Sequence, residues 1–135
     1  MLLGQWIKWE PLKNLSYDNF IYKTERTVNS LRIFLINNDE KELLVIFEHS
    51  VIFFKSMNEI FASRPAGTPI EYEGCEQFLQ WNFFKVANSA YLKMLSDESR
   101  FDLSTKGFVH YSIYEEDTFI DVIAACQPKV EWIIK

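Results

Sequence analysis

The side chains of this 135-residue chain best suited to metal binding or nucleophilic chemistry are His49, His110, Cys75 and Cys126. A metal site needs three or four convergent ligands, announced by short fixed spacings such as C-x-x-C or H-x-x-x-H. Neither spacing occurs, so no metal is expected. A reactive thiol must ionise, and Cys75 lies among Glu71, Glu73 and Glu76, whose negative charge opposes thiolate formation. Glycine-rich phosphate loops and G-x-S-x-G serine motifs are absent. The expectation is a protein with no catalytic residues and no cofactor.

Carboxylates are plentiful and clustered. Glu71, Tyr72, Glu73 and Glu76 interleave acids with a ring on a loop, a mixture that supplies charge and rigid aromatic area to an interface. Glu115, Glu116 and Asp117 fall at a predicted hairpin tip and form a second acidic knob. These seven residues are the expected partner-binding positions. Net charge is −5, from 19 acidic against 14 basic residues, and no Lys/Arg cluster is present to neutralise a row of phosphates. Nucleic acid is therefore excluded as an expected partner, and a basic macromolecule drawn by long-range attraction is favoured.

Strands must position these groups. Residues 28–37 and 42–49 are apolar, β-branched and aromatic runs around Asn37, Asn38, Asp39 and Glu40, which predicts a β-hairpin with a polar turn. Residues 51–55 are predicted as a third strand of a meander. Both faces of these strands are apolar, so the sheet must be covered twice or present an adhesive face. A short strand is expected at residues 5–10 before Pro11, while 14–27 reads equally as a helix or a packed loop. The stretch 61–74 holds Pro65, Gly67, Pro69 and Gly74 and is the one long irregular connection. In residues 76–97, Leu79, Phe83, Val86, Ala90 and Met94 recur at helical spacing, predicting a long amphipathic helix. Trp81 or Phe84 must then leave its main stripe. Residues 108–114 and 118–126 predict a second hairpin, and 130–134 a last strand. The fold expected is a single α+β domain over residues 1–135: an antiparallel sheet of about five to seven strands, covered on one face by the helix.

Composition agrees with a globular domain held by one core, since hydrophobic residues make up 48% and aromatics 16%, with 12 Phe, 6 Tyr and 4 Trp. No apolar run approaches the roughly 20 residues of a membrane-spanning helix. The first residues lack the basic segment and apolar core of a secretory signal, so a cytoplasmic location is expected. Two cysteines without paired spacing are expected as thiols rather than a bridge.

The order Trp6, Trp9, Glu10, Pro11, then Phe47, Val51, Lys55 and Glu59, then His110 to Tyr114 followed by Ile120-Asp121-Val122-Ile123, resembles immunity proteins of bacterial polymorphic and contact-dependent toxin systems. The resemblance covers most of the chain by pattern and character, without a diagnostic motif. It implies a cytosolic protein that binds a cognate toxin domain, often a nuclease with a basic cleft, and blocks it by protein contact. Two other classes compete. A small-ligand-binding protein or enzyme would gather His110, Tyr111 and Tyr114 inside a pocket. A structural subunit would dimerise through the apolar outer face of its sheet.

Overall fold

The structure is a computed structural model that describes residues 5–13, 15, 18–58, 71–73, 81–115 and 118–133, with backbone alone for 57, 58 and 71–73. The strands are β1 (Gln5–Lys8), β2 (Phe20–Arg26), β3 (Leu31–Ile36), β4 (Glu42–Phe47), β5 (Val51–Asn58), β6 (Glu71–Glu73), β7 (Phe83–Ala87), β8 (Val109–Glu115), β9 (Thr118–Ala124) and β10 (Lys129–Ile133). One α-helix, α1 (Ala90–Ser99), follows β7. A large sheet has the order β5-β9-β8-β7-β1-β6, and a small sheet the order β10-β4-β3-β2. Among the described residues every pairing is antiparallel except that of β1 with β6.

Strict alternation in β3 and β4 turns Leu31, Ile33, Leu35, Leu43, Val45 and Phe47 inward, all fully buried. They join Tyr111, Ile113, Ile120 and Val122 of the large sheet in one hydrophobic cluster. Phe47 meets Tyr111 across the gap, with ring centroids 5.3 Å apart. Removing each such aliphatic side chain from water contributes about 1.5–3 kcal/mol, which is why this face is specified so firmly. The two sheets pack as a sandwich.

This overturns the expected α+β layout with a long helix over one sheet. The chain is mostly β, and the helix expected over residues 76–97 is β7 followed by a ten-residue α1; residues 76–80 lie outside the described residues. The spacing misleads because β7 is covered on both faces: Phe83 faces the sandwich interior, Phe84 faces the other way, and both are fully buried. A strand buried on two sides has no alternation to read, so it imitates a short piece of buried helix. Trp81 is buried as well and donates its indole N–H to the Trp9 carbonyl at 2.8 Å. Helix begins only after Asn88, at φ 51, where the Ser89 hydroxyl accepts the Leu92 N–H at 3.1 Å as an N-cap.

The predicted β3–β4 hairpin is present, but β5 is not its third strand. Ser50, at φ 59, redirects the chain, and β5 pairs with β9 in the large sheet. Phe20–Arg26, in the stretch that reads equally as a helix or a packed loop, form β2, an edge strand whose residues are mostly exposed. The second hairpin forms from β8 and β9, and the last strand, β10, crosses back to pair with β4. No helix among the described residues is long and apolar enough to cross a membrane.

Candidate functional site

Of the seven expected partner-binding residues, the structure locates four. Glu71, Tyr72 and Glu73 are not in a loop: they form β6, opposite Gln5, Trp6 and Ile7 of β1. Glu115 ends β8 and is buried at 8% exposure, so it offers a partner little surface. Glu76, Glu116 and Asp117 lie outside the described residues. Cys75 does too, whereas Cys126 is a buried free thiol.

Acids and rings do come together elsewhere, at the β3–β4 turn and the outer face of the small sheet. Asn37 braces the turn: its side-chain oxygen accepts the Asp39 N–H at 2.9 Å and the Lys41 N–H at 3.0 Å. The Asn38 N–H is accepted by Asp18 at 3.1 Å. The turn closes on Glu40 at φ 60, a left-handed conformation unusual for a residue without the side-chain habits of Asn or Asp. Next to it lies a groove of about 380 Å³ lined by Glu40, Lys41, Glu42, Trp132 and Ile133.

The register carries this surface across the sheet. Phe20 is opposite Ile36, Ile36 opposite Glu42, and Glu42 opposite Ile133, so these four share the outer face. Phe34, Leu44 and Ile46 continue it, half-buried. Tyr22 stands at the bulge in β2, 47% exposed, and donates its hydroxyl to Glu42 at 2.6 Å. That hydrogen bond, with burial and the Glu42 charge adding to it, raises the Tyr22 pKa above its ordinary value and keeps the phenol a donor. Its ring lies 6.1 Å from Phe34, and the Lys23 ammonium sits 5.1 Å from the same Phe34 ring. Lys23 is also paired with Glu25 at 2.9 Å.

Comparison with known proteins adds nothing to this geometry. No family model, curated protein or solved structure matches the chain.

A second polar constellation lies on the far face of the large sheet. The Ser89 hydroxyl is 2.6 Å from His110 Nδ1, and His110 Nε2 is 2.8 Å from Asp121 Oδ1. His110 is 2% exposed and packs edge-on against Tyr91, centroids 5.7 Å apart. Tyr91 in turn accepts from Lys55 at 3.0 Å, and Lys55 is the cross-strand partner of Asp121. A carboxylate only accepts, so Nε2 carries the ring proton, and a neutral ring then leaves Nδ1 to accept from the serine hydroxyl. Such a chain can hold a serine proton ready for transfer.

Sequence reasoning missed both sites. Tyr22, Glu40, Glu42 and Trp132 meet only through strand pairing. Asp121 had a local signal, a lone acid inside the apolar run Phe119-Ile120-Asp121-Val122-Ile123, whereas Ser89 had none, since it falls inside the helix expected over residues 76–97. His110 and His49 do not share a site; His49 is exposed and bonded to Ser50 at 2.8 Å. His110 and Tyr114 share a face of β8, but Tyr111 points to the opposite one, into the sandwich, so the three do not converge.

Proposed function

We propose that this chain is a cytoplasmic binding protein of the immunity type, which seats a basic toxin domain against the outer face of the small sheet and blocks it. The observation that carries this reading is the Tyr22–Glu42 pair beside the groove of Glu40 and Trp132. It sets carboxylates and rigid rings together on a sheet face that α1 does not cover, since α1 packs with the large sheet against β8. Interfaces concentrate affinity in such rings and use the surrounding charge for encounter rate and orientation. A net charge of −5 favours a basic partner, and a nuclease cleft built for phosphates is one with that chemistry.

The reading is tested by co-purification and calorimetry with the C-terminal domain of a toxin encoded beside this chain's gene. A stable complex is expected, weakened about tenfold or more by Tyr22→Ala. Glu40→Lys with Glu42→Lys is expected to slow association and to reduce its dependence on salt. A failure to form a complex, or a triple variant that binds as tightly as the parent, would remove the proposal. The apolar outer face also suits a second copy of the chain, and a concentration-dependent dimer lost on Ile46→Lys would favour that reading instead.

A further inference from the structure

The Ser89, His110 and Asp121 chain joins three separate elements: the β7–α1 turn, β8 and β9. We propose that it is an acyl-transfer site, with Ser89 as nucleophile toward small carboxylic esters, His110 as general base, and Asp121 as the positioning residue. This is independent of the binding surface, which lies on the other sheet.

Three observations carry it. The first is the hydrogen-bond order, serine to imidazole to carboxylate at 2.6 and 2.8 Å, which matches nucleophile, base and orienting group. The ring nitrogens are used in the reverse of the serine-protease order, but such sites are defined by geometry and role. The second is placement. Ser89 is buried yet lines a broad surface depression of about 1340 Å³ together with Leu92, Met94 and Phe101. Met94 is 44% exposed and Phe101 60% exposed, an apolar floor on which an acyl chain can lie. The third is Ser112, the cross-strand partner of Asp121, which is fully buried and whose hydroxyl has no hydrogen-bond partner among the described residues. A buried hydroxyl left unsatisfied weakens a fold, and such groups are tolerated where a site has use for them.

The step balances with water as the only co-reactant. Ser89 Oγ bonds to the ester carbonyl carbon as its proton passes to His110 Nδ1. The tetrahedral adduct collapses, the carbon–oxygen bond to the alcohol breaks, and the alcohol leaves with that proton. Water then adds to the acyl-serine, giving its proton to Nδ1, and collapse returns the proton to Ser89 and frees the carboxylic acid. The Leu92 N–H already donated to Ser89 Oγ stabilises charge on that oxygen as its proton departs.

The experiment treats the full chain with a fluorophosphonate probe and, separately, with p-nitrophenyl acetate. A single adduct that maps to Ser89 and a burst of p-nitrophenol stoichiometric with protein are expected. Ser89→Ala should show neither, with circular dichroism confirming that it folds. Ser89→Cys should lose the fluorophosphonate adduct and gain alkylation by iodoacetamide. Asp121→Asn should slow labelling about a hundredfold or more and alter its pH profile, which a purely structural role would not do. A folded parent that is unlabelled, or labelling that persists in Ser89→Ala, overturns the proposal.

Discussion

Asn82 and Asn19 hold each other through their amides, the Asn82 side-chain oxygen accepting from both the backbone N–H of Asn19, at 3.4 Å, and its side-chain amide, at 3.3 Å. The Asn82 amide also donates to the carbonyls of Tyr114 at 2.7 Å and Asn19 at 3.3 Å. Both residues are buried, so this clamp ties the segment before β2 to β8 where water cannot substitute. Asn82→Leu leaves a backbone donor and acceptors unmet, at about 1–3 kcal/mol for each group that finds no new partner. The urea midpoint should fall accordingly with an unchanged slope, as chemical denaturation would show.

Tyr111 predicts an alkaline dependence. Burial, with a lesser contribution from Cys126, raises its phenol above the ordinary value of 10.0. The group's contribution to stability is therefore complete below that ordinary value and disappears as pH climbs through the higher folded one. Tyr111→Phe should lack this dependence, so the parent should lose stability relative to the variant in alkali. Urea titrations across that range measure the difference.

Glu48 predicts the opposite slope in acid. Its hydrogen bond from Lys129 at 2.8 Å, with the ammonium charge adding to it, lowers the carboxyl below 4.5. The contribution is present above that value and is lost as pH falls through the folded pKa. Both side chains are exposed, so the difference between the parent and Glu48→Gln should be small at neutral pH, vanish in acid and shrink with added salt.

Glu40 predicts a conflict between stability and binding. A non-glycine residue in the left-handed region carries a strain of about 1 kcal/mol, and glycine removes it. Glu40→Gly should therefore raise the melting temperature while weakening capture of a basic partner. Thermal unfolding and calorimetry on the same preparation separate the two effects.

The β3–β4 hairpin was legible because one face of it is buried: Leu31, Ile33 and Leu35 alternate with Arg32, Phe34 and Ile36, and Asn37 marks the turn. The same logic failed at Phe83 and Phe84, which lie on opposite faces of the strand and are both fully buried, so that no alternation is left to read. It failed again for β5, because the run Val51-Ile52-Phe53-Phe54 contains no information about which sheet will take it. Of the acids that cluster in the sequence, Glu71 and Glu73 fall in β6 and Glu115 is buried at the end of β8. Charge beside charge in a sequence says little about which side chains a sheet will gather.

What the chain's residues determined alone was local: the polar turn at Asn37, several strand identities, the acidity and the richness in rings. Only the tertiary structure decided that Tyr22 would meet Glu42 and that Ser89 would meet His110 and Asp121. The physical reason is that Tyr22 and Glu42 are 20 positions apart and Ser89 and His110 are 21 apart, and which strands bring them together depends on burial of whole faces, which no short window of sequence contains.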